Sequence, residues 1–230
     1  MMDMIDDDFS WLAAVMHFSD GVLPVGAYAH SLGLEGVVQT GMVKSGDELE
    51  TFLLRDVSDS LLWVDVPLVA HAWRACESGQ LALLHELDEL CWAARPARQL
   101  RESASKIGRQ QWRVYQQTWA RDAGLPDIDW VYHQSPVVLG CLMHHQGAPV
   151  AAACWSFVYQ TYSAFLQAAL KLLPIGPRLT QEVLQRALRE IRPQLAEAMH
   201  RELDEIGSFN PVWDLAAAQH EGAKARMFIS

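Results

Sequence analysis

The first quarter of this chain has almost no positive charge. Residues 1–60 carry eleven Asp and Glu against two bases, Lys44 and Arg55, while residues 61–230 carry seventeen acids and sixteen bases. Nine of the ten net negative charges therefore fall in the first quarter. Such a balance repels phosphate backbones and excludes a general nucleic-acid binder. Lysine is scarce throughout: fourteen of the eighteen bases are Arg, whose planar fork suits two-point contacts at interfaces. Cysteine is scarce too. Cys76, Cys91, Cys141 and Cys154 show no C-x-x-C spacing, so no disulfide scaffold is expected. They read as reduced thiols of a cytoplasmic protein, most of them core filler. The N-terminus, Met-Met-Asp-Met-Ile-Asp-Asp-Asp, lacks the basic-then-apolar order of a signal peptide. No G-x-x-x-x-G-K-[ST], G-x-G-x-x-G or G-x-S-x-G occurs, and His220-Glu221 lacks the second His of a zincin because Lys224 stands there. These gaps weigh against an enzyme and supply no catalytic residue.

Charge of either sign is missing between Trp130 and Leu170. Val150 to Leu170 has the length of a membrane span, but Ser156, Gln160, Ser163 and Gln167 fall at i, i+4, i+7 and i+11, one continuous helical stripe. Lipid would penalise that stripe, so no membrane is expected. The segment is either a core helix with one polar face or a helix lining an interface.

What is present reads almost wholly as helix. Phe9 to Phe18 has helical spacing, broken by Asp20-Gly21 and Pro24-Val25-Gly26. Tyr28 to Gln39 predicts a second helix, and Asp47 with Glu50 predicts the capped start of a third. Pro67 predicts a start or kink, and Leu81–Ala94 a further helix. Pro96 to Asp122 predicts the clearest long helix. Its seam is Ala97, Leu100, Ala104, Ile107, Gln111, Val114 and Thr118, and its outer side is basic through Arg95, Arg98, Arg101, Lys106, Arg109, Arg113 and Arg121. That side is a solvated face or a dock for an acidic surface. Gly108 interrupts it, for close packing or by tolerance. Pro136 to Gln146 and the segment after Pro149 follow, then a break at Pro174, Gly176 and Pro177. Thr180 predicts a cap for a helix running toward Ile206, with Pro193 inside it. With no strand alternation, repeat or low-complexity linker, the expected fold is all-α, one helical-bundle domain of eight to ten helices. Residues 1–8 are expected to be a flexible acidic tail, 9–206 the domain, and 207–230 a segment that docks on a partner, with Phe209 and Trp213 as candidate anchors.

Cys141, His144 and His145 fall at i, i+3 and i+4, one side of a helix, with donors suited to Zn²⁺ or Ni²⁺. A His pair at a helix end, where cations suit the dipole, explains the same pattern. A metal-binding helical protein or metal-dependent enzyme using these three, with His133, is the second functional reading.

Four segments together resemble the urease accessory protein UreF family. The first is Asp20-Gly21-Val22-Leu23-Pro24-Val25-Gly26-Ala27-Tyr28-Ala29-His30-Ser31-Leu32-Gly33-Leu34-Glu35. The second runs from Arg101-Glu102-Ser103 to Gly108-Arg109, and the third is His133-Gln134-Ser135-Pro136-Val137-Val138-Leu139-Gly140 before the long small-residue helix. The fourth is Pro211-x-x-Asp214, His220-Glu221 and Arg226-Met227-Phe228-Ile229-Ser230. Ala29 and Leu32 depart from the family's polar patch and His30 from its aromatic. Pro177 follows Gly176 where the family has Gln, a departure that bears on the passage described next.

The resemblance implies an all-helical dimeric scaffold that is not itself an enzyme. It implies a complex with a UreD-type (UreH-type) protein and a UreG-type GTPase, whose GTP-dependent events it influences, and delivery of nickel to urease apoprotein. Ni²⁺ is then transported cargo, with no tightly bound cofactor. Partner contacts are implied at Gly26, Tyr28, Ser31, Gly33, Glu35, Asp214, His220, Glu221, Arg226, Phe228 and Ser230. Ser156, Gln160, Ser163, Gln167 and Gly176 are implied for the dimer seam and nickel passage.

Overall fold

The computed structural model describes residues 9–20, 23, 31–119, 128–220 and 227–228; of residues 219 and 220 it describes the backbone alone. The expected tail 1–8 lies outside them. Helix α1 spans Ser10–Ser19. The second helix, α2, is Leu34–Gln39, shorter than expected: Leu32 and Gly33 take φ of 51° and 84°, which no helix continues through. Gly33 also has no room for a side chain, because a Cβ there would sit 2.7 Å from Trp213 Nε1.

Helix α3, Gly46–Phe52, is capped two residues earlier than expected. Ser45 Oγ accepts from Glu48 N–H at 3.3 Å and Glu48 reaches back to Lys44 N–H at 2.6 Å, leaving Asp47 in the first turn, where a negative charge suits the dipole. The rod then runs without a break through a π turn at Leu53–Val57, α4 (Ser58–Ser60) and a second π turn at Leu61–Asp65 into α5, Val66–Glu77. Pro67 does not break it. The carbonyl one turn before a proline loses its usual donor, and here Trp63 O takes Gly207 N–H at 3.1 Å instead.

Helices α6 (Leu81–Ala93), α7 (Arg98–Thr118), α8 (Ser135–His145) and α9 (Val150–Leu172) follow, with Pro136 in the first turn of α8. α10 is Pro177–Ala198. Its first residue is Pro177, where a missing N–H is harmless. Thr180 is therefore not the cap; it is buried inside the first turn and donates to Pro177 O at 2.8 Å. Pro193 is accommodated on the exposed face, and the helix stops at Ala198, short of Ile206, before a 3₁₀ turn at Leu203–Glu205. α11 spans Pro211–His220. The fold is all-α, with no strand among the described residues.

The uncharged stretch is the middle of the molecule. Every residue of α8 from Ser135 to Met143 is buried, between α5, α7 and α9. Gly140 lets α5 come close: a Cβ there would collide with the Val69 carbonyl oxygen and meet Ala72 Cβ at 3.0 Å. Charge is excluded here because ions in such a place would need partners. Among the described residues no helix is long and apolar enough to cross a membrane.

Candidate functional site

Two buried carboxylates organise the regions that the sequence singled out. α6 buries Leu84, Leu87, Asp88 and Cys91 along one stripe, so Asp88 occupies a position its spacing reserves for apolar residues. Its oxygens accept three successive backbone N–H groups, from Tyr132 (2.7 Å), His133 (3.1 Å) and Gln134 (2.6 Å). Such a concave run of amides favours an anion, and needs a left-handed residue within it. His133 supplies that residue, with φ of 61°. Its carbonyl presses on α7 at Gly108, where a Cβ would lie far inside van der Waals contact. Ser105 donates to Tyr132 O, and Gln134 Nε2 to Arg101 O at 3.1 Å. Gly108 is thus a close-packing glycine.

Glu35, buried at the foot of α2, accepts from Met227 N–H (2.8 Å) through one oxygen and from Phe228 N–H (3.1 Å) through the other. Phe228 is 6 % exposed and packs beneath the Lys171 ammonium, 5.1 Å from the ring centroid. Trp213 of α11 donates to Leu32 O at 3.0 Å and packs edge-on against Phe52 and Phe165. It is a core residue of this chain, which corrects its expected role as a partner anchor. Phe209 stays 87 % exposed.

Between α7, α9, the middle of the α3–α5 rod and the α11 segment lies a cavity of about 110 Å³, walled by Asp65, Arg95, Gln111, Gln160, Phe165 and Trp213. It has room for a small water cluster. Arg95 does not belong to the basic outer face; it turns inward into an ion pair with Asp65. Burial pushes the Asp65 carboxyl up, and Arg95 opposes that rise. Burial also pushes up Asp214, which accepts from the Ala97 backbone. The polar stripe of α9 lies beside this cavity. Gln111 Nε2 donates to Gln160 Oε1 at 3.3 Å, Gln160 Nε2 to Ser156 Oγ at 2.9 Å, and Ser156 meets Ser19 at 3.0 Å. Gln111 Oε1 and Ser163 Oγ are buried without a hydrogen-bond partner. Gln167 is half-buried, and Gly176 lies exposed before α10.

Of the sixteen residues named for partner contact or passage, Gly26, Tyr28, Glu221, Arg226 and Ser230 lie outside the described residues, as does the side chain of His220. Ser31, Glu35 and Phe228 are buried within the chain itself. The fold brings Gly33, Glu35, Asp214 and Phe228 to the α2–α11 side and Ser156 to the α1–α9 side, while Gln160 lines the cavity between α7, α9 and the α11 segment. Cys141, His144 and His145 do not converge. Cys141 faces Cys76, His144 lies edge-on to Trp73 at 5.0 Å, and His145 tilts against Tyr115 at 5.8 Å. Among the described residues no group of three His, Cys, Asp or Glu is placed to share a metal ion. Sequence reasoning missed Asp88 and the Asp65–Arg95 pair. The signal for Asp88 was its place in an apolar stripe.

A sequence profile described as UreF matches residues 43–188. The urease accessory protein UreF of Rhodopseudomonas palustris (strain BisA53) is 31% identical over 210 residues, covering 90% of this chain and 88% of its own length. That of Trichodesmium erythraeum (strain IMS101) is 26% identical over 233 residues, 99% of this chain and 100% of its own. The Klebsiella pneumoniae protein of the same name is 27% identical over 216 residues, covering 94% and 96%.

Proposed function

The chain belongs to the UreF family of urease accessory proteins, and from that membership we propose that it is a scaffold joining a UreD/UreH-type protein to a UreG-type GTPase during GTP-dependent nickel insertion into urease apoprotein. Its part is to hold surfaces in register and to influence the partner GTPase, with Ni²⁺ as cargo. The observation that carries this reading is the seating of the family's C-terminal segment on its N-terminal signature. Glu35 binds Met227 and Phe228, and Leu32 binds Trp213. One composite surface then carries both, with Val212, Leu215 and Met227 exposed upon it. Apolar groups that meet water on one face of a monomer suit a protein partner.

A homodimer fits a second surface. An open groove of about 710 Å³ between α1 and α9 is lined by Met16, Trp155, Tyr159 and Leu188. It runs beside Ser156, so a polar seam and an apolar contact lie together. The acidic first quarter suits steering toward basic partner surfaces, and association should slow with added salt.

Copurification tests the scaffold role. Trp213 is part of the core, so the informative deletion removes only residues 221–230. Coexpressed with UreD-type and UreG-type proteins, the full chain should capture both, and the truncated chain should lose the UreD-type protein while keeping its helical circular dichroism. Failure of the full chain to capture either protein, or undiminished capture after truncation, overturns the reading.

A further inference from the structure

The cavity beside α11 has no part in the scaffold role, and its wall has acceptors to spare but few donors. Among the described residues most side-chain donors on that wall are engaged elsewhere. Arg95 gives its guanidinium to Asp65 and to Cys91 O at 3.3 Å. Gln111 Nε2 goes to Gln160 Oε1, and Gln160 Nε2 to Ser156. Asn210 Nδ2 reaches Asp56 O at 3.2 Å and Asp59 at 3.4 Å, and Thr161 donates to Phe157 O at 2.9 Å. Two acceptors remain on the wall. Gln111 is 1 % exposed, and its Oε1 is buried without a hydrogen-bond partner. Asp214 accepts from the Ala97 backbone, and a carboxylate has sites for further donors.

Charge on the wall tips the same way. Asp65 and Arg95 cancel, and Ser60 meets the second Asp65 oxygen at 3.4 Å. Asp214 has no cation among its described neighbours. The second π turn of the rod ends at Asp65 on this wall, and such turns are frequent where a helix serves a site. Ser208, Asn210 and Asp214 are half-buried, so the cavity meets solvent along the segment that leads into α11. We propose that this cavity binds a small organic cation of the guanidinium class, held between Gln111 Oε1 and the Asp214 carboxylate against the aromatic wall of Phe165 and Trp213.

The chemistry separates this ligand from its rivals. A guanidinium presents planar N–H donors on several edges, so it can serve both acceptors at once. It is more weakly hydrated than an ammonium ion, so it loses less on entering a wall that is mostly apolar. Its charge is also attracted to aromatic faces. Its size is about that of the small water cluster the cavity can hold. An anion would face the Asp214 carboxylate and find most donors engaged. A divalent ion wants about six oxygens, and among the described residues no group of three His, Cys, Asp or Glu is placed to share one. The site does not rest on the scaffold reading.

The test titrates the full chain, labelled with nitrogen-15, with methylguanidinium chloride below denaturing concentrations. Sodium chloride at matched ionic strength is the salt control, and urea is the control of like shape without charge. Saturable shifts are expected at the Trp213 indole N–H and the Gln111 side-chain amide, with saturation transfer from the protein to the ligand methyl group. Asp214→Asn keeps an acceptor for Ala97 but removes the charge. It should weaken binding about tenfold or more, as losing a hydrogen bond to a charged group does. The wild-type shift map decides the matter if that variant fails to fold. Shifts no larger than those in sodium chloride would mean that the cavity holds water only. That result, urea binding as tightly as methylguanidinium, shifts confined to other regions, or unchanged affinity in folded Asp214→Asn would each overturn the proposal.

Discussion

Asp88 and Glu35 do the same chemical work in two regions with different supports. Each is a buried carboxylate that collects backbone N–H groups from a distant segment, three for Asp88 and two for Glu35. Asp88 stands on a 13-residue helix. The segment it holds leads directly into the buried α8, and it is pressed on Gly108 and tied to Arg101. Glu35 stands on a 6-residue helix. The two residues it holds lie beyond the end of α11, with one aromatic ring as their other described anchor. The four segments that carry the family resemblance meet in the same two pairs. The second and third meet at Asp88, Gly108 and His133, the first and fourth at Glu35, Gly33 and Trp213. What differs, among the described residues, is the number of independent contacts around each carboxylate. That number sets whether a seam opens only with the whole fold or by itself.

The sharpest way to break this comparison is Asp88→Ala. It strands three backbone N–H groups, that of Gln134 buried and those of Tyr132 and His133 part-buried, each at about 1–3 kcal/mol when fully buried, for a loss on the order of 5 kcal/mol. A domain's whole stability is about 5–15 kcal/mol, so the variant should be largely unfolded or poorly packed by denaturant titration and near-ultraviolet circular dichroism. A loss below about 2 kcal/mol would mean that the amides find other acceptors and that the two seams are alike. Gly108→Ala probes the same seam from the other side. Helix propensity favours Ala by about 1 kcal/mol, while the collision with the His133 carbonyl forces the backbone apart. Overpacking of this kind costs about 1–3 kcal/mol, and net destabilisation in the same titration is expected. A more stable variant would show that the α7–α8 approach relaxes freely.

These seams also mark where the sequence was legible and where it was not. Helix positions followed from apolar period and from Pro and Gly, because those are local effects. Ser135–His145, Val150–Leu172 and the all-α class were readable for that reason. Boundaries that depend on a distant residue were not. Pro67 reads as a break until Gly207 supplies the donor for Trp63. Asp47 and Glu50 satisfy a capping pattern, but Ser45 and Glu48 satisfy it two residues earlier. Arg95 looks like one more charge on a basic face until its partner, thirty residues away, is known. Of the candidate site, the residues that carry the resemblance could be named, but not their pairing. That Glu35 and Ser31 face inward is set by packing, which a polar residue type does not announce.

The smallest effect on stability and the most informative about function is expected from Glu35→Gln. Glutamine keeps the shape and one acceptor oxygen, but sets an amide N–H₂ against one of the two backbone donors. The local loss should be about 1–2 kcal/mol, and it should leave the denaturation midpoint nearly unmoved, because the seam opens without the core. Hydrogen exchange reads it directly. The amides of Met227 and Phe228 should exchange about tenfold faster, since about 1.4 kcal/mol corresponds to a factor of ten. The amides of α11 should keep their protection, because Trp213 holds that helix through Leu32, Phe52 and Phe165. If α11 loosens as well, the C-terminal segment and α11 are one cooperative unit and the contrast with Asp88 narrows. If neither changes, Phe228 beneath Lys171 holds the seam by burial alone, and the carboxylate of Glu35 only relieves the buried Phe228 amide and the part-buried Met227 amide.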